Sequence, residues 1–240
     1  MLFSKFNLYQ NKKPNNVYKT FANTYTTGNR PKKSNYLLYG ITDSKLNNKY
    51  GRTMLESVKE AVRGGCTTIQ LREKEANDNI FITFAKELVN EYKDTNINII
   101  INNRADIMVA TEADGVHVGQ NDIPVKLIRK IIGPDKIIGV SVCSLDQAYR
   151  AVDDGANYLG VGPVFYSITK NEEPPVGIKV LEDICMAVPI PVVAIGGLTI
   201  DNISQITDCK NIAGVALIKQ IFDNNNIFVS TLGLKYKLQK

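Results

Sequence analysis

From residue 36 onward the chain repeats one pattern eight times: a short β-branched, apolar run followed by a segment of helical period. The runs are 36–42, 67–71, 97–102, 115–119, 137–142, 158–162, 192–196 and 214–218. Their Val/Ile character marks strands buried on both faces, whereas segments 53–63, 79–92, 105–112, 125–132, 145–153, 178–186 and 202–208 carry apolar residues at helical spacing. A last helix begins near Lys219 and runs to the C-terminus with a break at 224–226. Eight such units in roughly 205 residues close best as a single α/β domain, a (β/α)8 TIM barrel. The competitor, an open doubly wound sheet, would be favoured by a G-x-G-x-x-G turn, and the sequence has none.

Charge divides the chain in two. Of the 29 Lys and Arg, seven lie before residue 34, where there is no carboxylate; the other 22 face 24 Asp and Glu. The barrel, 36–240, is therefore not a basic nucleic-acid binder by charge. Segment 1–35 reads as a disordered or targeting-like basic extension. No apolar run approaches the roughly 18 residues of a membrane span. The four cysteines are widely spaced without a C-x-x-C pair, which fits reduced, mostly buried thiols in an intracellular protein, cytoplasmic or organellar.

In such a barrel chemistry sits where strands end and βα loops begin. Strand two ends Gln70-Leu71-Arg72-Glu73-Lys74, and alternation puts Gln70, Arg72 and Lys74 on one face with Leu71 and Glu73 on the other. An amide and two cations along one inward face are costly to bury without an anionic partner. Gly196-Gly197 closes strand seven and allows close backbone approach to a ligand, with Asp201 placed to cap the following helix. Segment 162–170 offers the hydroxyls of Ser167 and Thr169 with Lys170, suited to a second anion or a lid. Asn102, Asn103 and Asp122 end strands three and four and offer oxygen ligands of the kind Mg²⁺ takes together with diphosphate oxygens. Asp122 alone would also serve as a cap for the helix beginning near Pro124. The single histidine, His117, lies mid-strand and reads as packed or locally hydrogen-bonded, so two-His metal sites are excluded.

Taken together these motifs resemble the thiamine-phosphate synthase family. The resemblance runs from about Tyr36 to Phe222 and rests on Thr42-Asp43, Gly64-Gly65, the 70–74 motif, the stretches 102–106 and 113–122, Gly139-Val140-Ser141, 160–165 with Thr169-Lys170, 175–177, and 194–197. It implies a transferase joining hydroxymethylpyrimidine diphosphate to a thiazole phosphate with Mg²⁺, giving thiamine phosphate and diphosphate. The pyrimidine-diphosphate residues would fall on Gln70, Leu71, Arg72, Glu73, Lys74, Asn102, Ser141 and Lys170, with Arg72, Lys74, Ser141 and Lys170 nearest the chemistry. The thiazole-phosphate residues would fall on Ser167, Ile168, Thr169, Gly197, Ile218 and Lys219, and the metal ligands on Asn103 and Asp122. Small-molecule substrates would be the partners, with neither nucleic acid nor membrane, and a homo-oligomer is compatible.

Three positions depart from the family pattern. Asn103 stands where aspartate is usual, Lys219 where a small serine-type residue is usual, and Ser167 where threonine is usual. Two alternatives follow. A thiazole tautomerase-like relative is expected to carry histidine two residues after Ser141, where this chain has Cys143. A non-catalytic thiamine-phosphate-binding protein is favoured only by Asn103.

Overall fold

The structure, a computed structural model, describes residues 36–73, 76–166 and 174–239. The extension expected at 1–35 lies outside the described residues. Eight parallel strands close into a barrel in sequence order: β1 (Leu38–Ile41), β2 (Thr68–Leu71), β3 (Asn98–Asn102), β4 (Gly115–Val118), β5 (Ile137–Val142), β6 (Tyr158–Val161), β7 (Val192–Ile195) and β8 (Ile212–Leu217). Closure is made by β1, which pairs with β2 on one side and β8 on the other. The expected (β/α)8 architecture is thus the observed one.

Around it run helices α1 (Ser44–Lys49), α2 (Met54–Gly64), α3 (Asp78–Tyr92), α4 (Ala105–Thr111), α5 (Val125–Ile132), α6 (Leu145–Asp153), α7 (Gly177–Ala187), α8 (Ser204–Thr207), α9 (Lys219–Phe222) and α10 (Ile227–Leu238). The sequence of α1, Ser-Lys-Leu-Asn-Asn-Lys, has no apolar stripe and was not expected as helix; Asp43 starts it by accepting from the Lys45 and Leu46 amides. Helix α2 is set by a complete capping box, Thr53 with Glu56. The break foreseen at 224–226 is real, because the Asn226 side chain caps α10 afresh.

Two caps differ from expectation. Asp201 caps nothing and is exposed. The turn closes earlier, where Thr199 Oγ1 accepts from the Asn202 amide and Asn202 Oδ1 accepts from the Thr199 amide. Asp122 does not cap α5, whose N-cap is Pro124. Its Oδ2 instead accepts from Gly119 N at 2.6 Å, closing the turn that ends β4.

The core has two layers. Ile69, Leu71, Ile99, Ile101, Val116 and Val118 pack outward against helix residues such as Val58, Phe81, Leu88 and Ile107. Inside the barrel lies a separate cluster containing Tyr36, Tyr39, Ile100, Ile137, Tyr158 and Val193. The period-two alternation of each strand sorts its residues between these layers. Thr68 and Gln70 therefore belong to the opposite face from Ile69 and Leu71. Tyr158 fits only because its neighbour in β5 is Gly139, where a Cβ would lie 2.1 Å from the Tyr158 ring.

Candidate active site

Above the interior cluster a cavity of about 580 Å³ opens at the C-terminal ends of the strands. Its wall contains Gln70, Arg72, Asn102, Ser141, Gly197, Ile218 and Lys219, seven residues named from the sequence that come from five different strand ends. Lys74, Ser167, Ile168, Thr169 and Lys170 lie outside the described residues.

Gln70 is buried on the inward face of β2, and its Nε2 donates to Tyr39 Oη at 2.9 Å. Two residues on, Arg72 leaves the strand. Its backbone is held by Thr42, whose Oγ1 accepts from Arg72 N at 3.0 Å and donates to Arg72 O at 3.4 Å. The guanidinium, about a quarter exposed, lies 4.0 Å from Asp43 Oδ2. That leaves most of its five N–H donors for a ligand. Leu71 and Glu73, on the other face, do not line the cavity. Leu71 is fully buried in the outer core, and Glu73 accepts from Ser44 Oγ at 2.9 Å, tying β2 to the start of α1. The alternation that points Gln70 inward points these two side chains away from the cavity.

Ser141 Oγ is 2.9 Å from His117 Nε2, and the other ring nitrogen of His117 is 2.8 Å from Tyr158 Oη. His117 is thus hydrogen-bonded as expected, and it also lines the cavity. Tyr158 Oη is in turn 2.8 Å from Tyr39 Oη. Burial pushes both phenols well above their ordinary range, so both keep their protons. The sequence reading missed Tyr39 and Tyr158. A signal existed: both are polar-tipped residues on strands that must place one face inside a closed barrel.

The Gly196-Gly197 turn has a structural reason as well as a functional one. Both glycines have positive φ, 90° and 67°, and a Cβ on Gly197 would lie 2.5 Å from the carbonyl oxygens of Phe165 and Tyr166. The glycines let the loop after β6 lie on the end of β7, with Phe165 N donating to Gly196 O at 3.1 Å. The Gly197 carbonyl accepts from Asn202 Nδ2 at 2.9 Å, while its N–H has no hydrogen bond among the described residues. Lys219, at the neighbouring end of β8, is exposed and does not plug the cavity.

Asn103 and Asp122 stand apart from this wall. Asn103 is exposed with φ 60°, a left-handed conformation that asparagine tolerates, and its N–H donates to His117 O at 2.8 Å. Asp122 is half-buried with one oxygen engaged by Gly119 N. Among the described residues no three His, Cys, Asp or Glu side chains gather as a metal cluster.

Residues 38–221 match the sequence profile of a family described as thiamine monophosphate synthase. The chain belongs to that family. A thiamine-phosphate synthase of Clostridium novyi is 40% identical over 194 residues, covering 80% of this chain and 94% of that protein. The thiamine biosynthetic bifunctional enzyme TH1 of Arabidopsis thaliana, described as chloroplastic, is 42% identical over 205 residues, 85% of this chain. The chain spans only 39% of that plant enzyme. Among solved structures, thiamine phosphate pyrophosphorylase from Pyrococcus furiosus superposes with a TM-score of 0.79 at 33% identity, covering 86% of this chain and 97% of that one. A 3-hexulose-6-phosphate synthase, at 14% identity and a TM-score of 0.63 over 84% of this chain and 99% of its own, shares the fold alone.

Proposed function

We propose that this member of the thiamine monophosphate synthase family condenses 4-amino-2-methyl-5-hydroxymethylpyrimidine diphosphate with 4-methyl-5-(2-phosphoethyl)thiazole, giving thiamine phosphate and diphosphate. The observation that carries this reading is the convergence of Gln70, Arg72, Asn102, Ser141, Gly197 and Lys219 on one cavity. Arg72 and Ser141 offer a cation and a hydroxyl, and the adjacent ends of β7 and β8 offer the Gly197 amide with the Lys219 cation, one set for each anionic group.

The reaction breaks the bond between the pyrimidine methylene carbon and the diphosphate oxygen, whose electron pair leaves with diphosphate. The electron-rich aminopyrimidine ring stabilises the cation left behind. The thiazole nitrogen lone pair then forms the new C–N bond. Such a step needs neutralisation of the leaving group and alignment of two ligands more than a general base. Arg72 and the Ser141 hydroxyl bind the leaving diphosphate in this account, joined by Lys74 and Lys170. Gly197, Ile218 and Lys219, with Ser167 to Thr169, hold the thiazole phosphate.

The donor set suits Mg²⁺. Asn103 and Asp122 are hard oxygen donors at adjacent strand ends, and the second Asp122 oxygen has no partner among the described residues. Two protein ligands are what this ion accepts when substrate oxygens and water complete its shell. When bound, the ion would offset charge on the diphosphate oxygens. The organelle or cytoplasm is the proposed compartment, in line with plant relatives described as chloroplastic.

The test is turnover by the full chain with both substrates and Mg²⁺, following thiamine phosphate. Product formation is the expected result. Tight binding of thiamine phosphate without turnover would favour the non-catalytic reading that Asn103 permits, and neither binding nor turnover would refute both.

A further inference from the structure

Five side chains from five strands form one unbroken line of hydrogen bonds through the barrel: Gln70, Tyr39, Tyr158, His117 and Ser141. Its two ends, Gln70 and Ser141, both line the cavity. A phenol has one hydrogen and donates once. With Gln70 Nε2 donating to Tyr39 Oη, the sense that leaves no phenol hydrogen of the line unplaced has Tyr39 give its hydrogen to Tyr158 Oη at 2.8 Å. The Tyr158 hydrogen is then given to His117 Nδ1 at 2.8 Å. A ring whose Nδ1 accepts carries its proton on Nε2, and this Nε2 donates to Ser141 Oγ at 2.9 Å. The Ser141 hydrogen remains for a ligand, and so does the carbonyl oxygen of Gln70.

With a neutral His117 ring the line has one other self-consistent sense. Turning the Gln70 amide over would reverse every link, moving the histidine proton to Nδ1 and making Ser141 donate back to the ring. Ser141 would then present only lone pairs to the cavity, which an anionic ligand disfavours. Burial that keeps both phenols neutral also keeps one hydrogen at each link, so the two ends cannot reverse independently.

We propose that Tyr39 and Tyr158 are positioning residues that hold His117 as its Nε2–H tautomer, making Ser141 a donor to an anionic oxygen and Gln70 an acceptor for an amino group. The identity of those two groups, the diphosphate and the aminopyrimidine, rests on the proposed reaction; the polarity of the line does not. Each end of the line is thereby matched to one end of a single ligand.

The chain offers an unusual readout, since His117 is its only histidine. Full-length protein labelled with ¹⁵N-histidine and purified without a histidine tag gives ring nitrogen signals from this residue alone. The expected wild-type spectrum is a single Nε2–H tautomer. Tyr158→Phe should replace it with a mixture of tautomers, and lower kcat about tenfold with little change in KM, the worth of a neutral hydrogen bond. Tyr39→Phe, which leaves the His117 contact in place, should also mix the tautomers and keeps the test available if Tyr158→Phe does not fold. An Nδ1–H ring in the wild type, or an unchanged Nε2–H ring in either variant, would overturn the proposal. Turnover is read separately: wild-type protein with the expected tautomer and no turnover would refute the reaction while leaving the polarity of the line intact.

Discussion

Asp43 divides its carboxylate between Arg72 and a helix: Oδ2 lies 4.0 Å from the Arg72 guanidinium, while Oδ1 accepts from the Lys45 and Leu46 amides at 3.1 and 3.3 Å. The residue that starts α1 thus also turns the cation of the β2 loop toward the cavity. Removing Arg72 should cost chemistry and leave the fold. Arg72→Ala is expected to lower kcat by about two orders of magnitude or more, with unfolding free energy changed by about 0.5 kcal/mol or less. Steady-state kinetics and denaturant melts check both, and near-normal turnover would refute the leaving-group assignment.

Gly139 tests the inner layer. A methyl group there would overlap the Tyr158 ring at 2.1 Å. Gly139→Ala should therefore destabilise the barrel by about 1–3 kcal/mol, the usual cost of overpacking. It should also displace Tyr158 from His117, visible as a change in the ring nitrogen signals.

Asn103 tests the metal assignment. It is exposed and already sits at φ 60°, a conformation aspartate also visits, so Asn103→Asp should fold normally. If the side chain is a ligand, the added charge lowers the Mg²⁺ concentration needed for half-maximal rate. An unchanged metal dependence would argue that it is not.

Arg129 provides a control at the opposite end of the barrel. Its guanidinium donates to the carbonyls of Gly133, Lys136 and Gly155 and to Asn157 Oδ1, locking the loops that feed β5 and β6. Arg129→Ala should cost about 2 kcal/mol of stability, because several part-buried acceptors lose a charged donor. Its kcat and KM should stay at wild-type values, since Arg129 lies at the N-terminal ends of the strands, away from the cavity.

The fold was legible because parallel strands buried on both faces leave a plain signature, and because Gly and polar residues punctuate each unit. The sequence reading runs strand ends a residue too far, as at Thr42 and Gly162, which lie just past β1 and β6 but still donate to Gln70 O and Val142 O of the neighbouring strands. Helix α1 was missed because its stability comes from the Asp43 cap and not from an apolar face. Asp201 was misread as a cap since a carboxylate before a helix looks right, yet Thr199 and Asn202 bond each other first. In the site, Arg72, Asn102 and Ser141 were legible as polar residues at strand ends. Tyr39 and Tyr158 were not, because a buried tyrosine reads as core until its hydroxyl partner, from a distant strand, is known.

The most direct measurement of the central claim is the stoichiometry of the reaction. Full-length protein is given the pyrimidine diphosphate and Mg²⁺, with and without the thiazole phosphate, and thiamine phosphate and released diphosphate are both quantified. The proposed reaction yields the two products in equal amounts, over many turnovers, only when the thiazole phosphate is present. Failure to form thiamine phosphate with both substrates saturating, in protein that is folded, would contradict it.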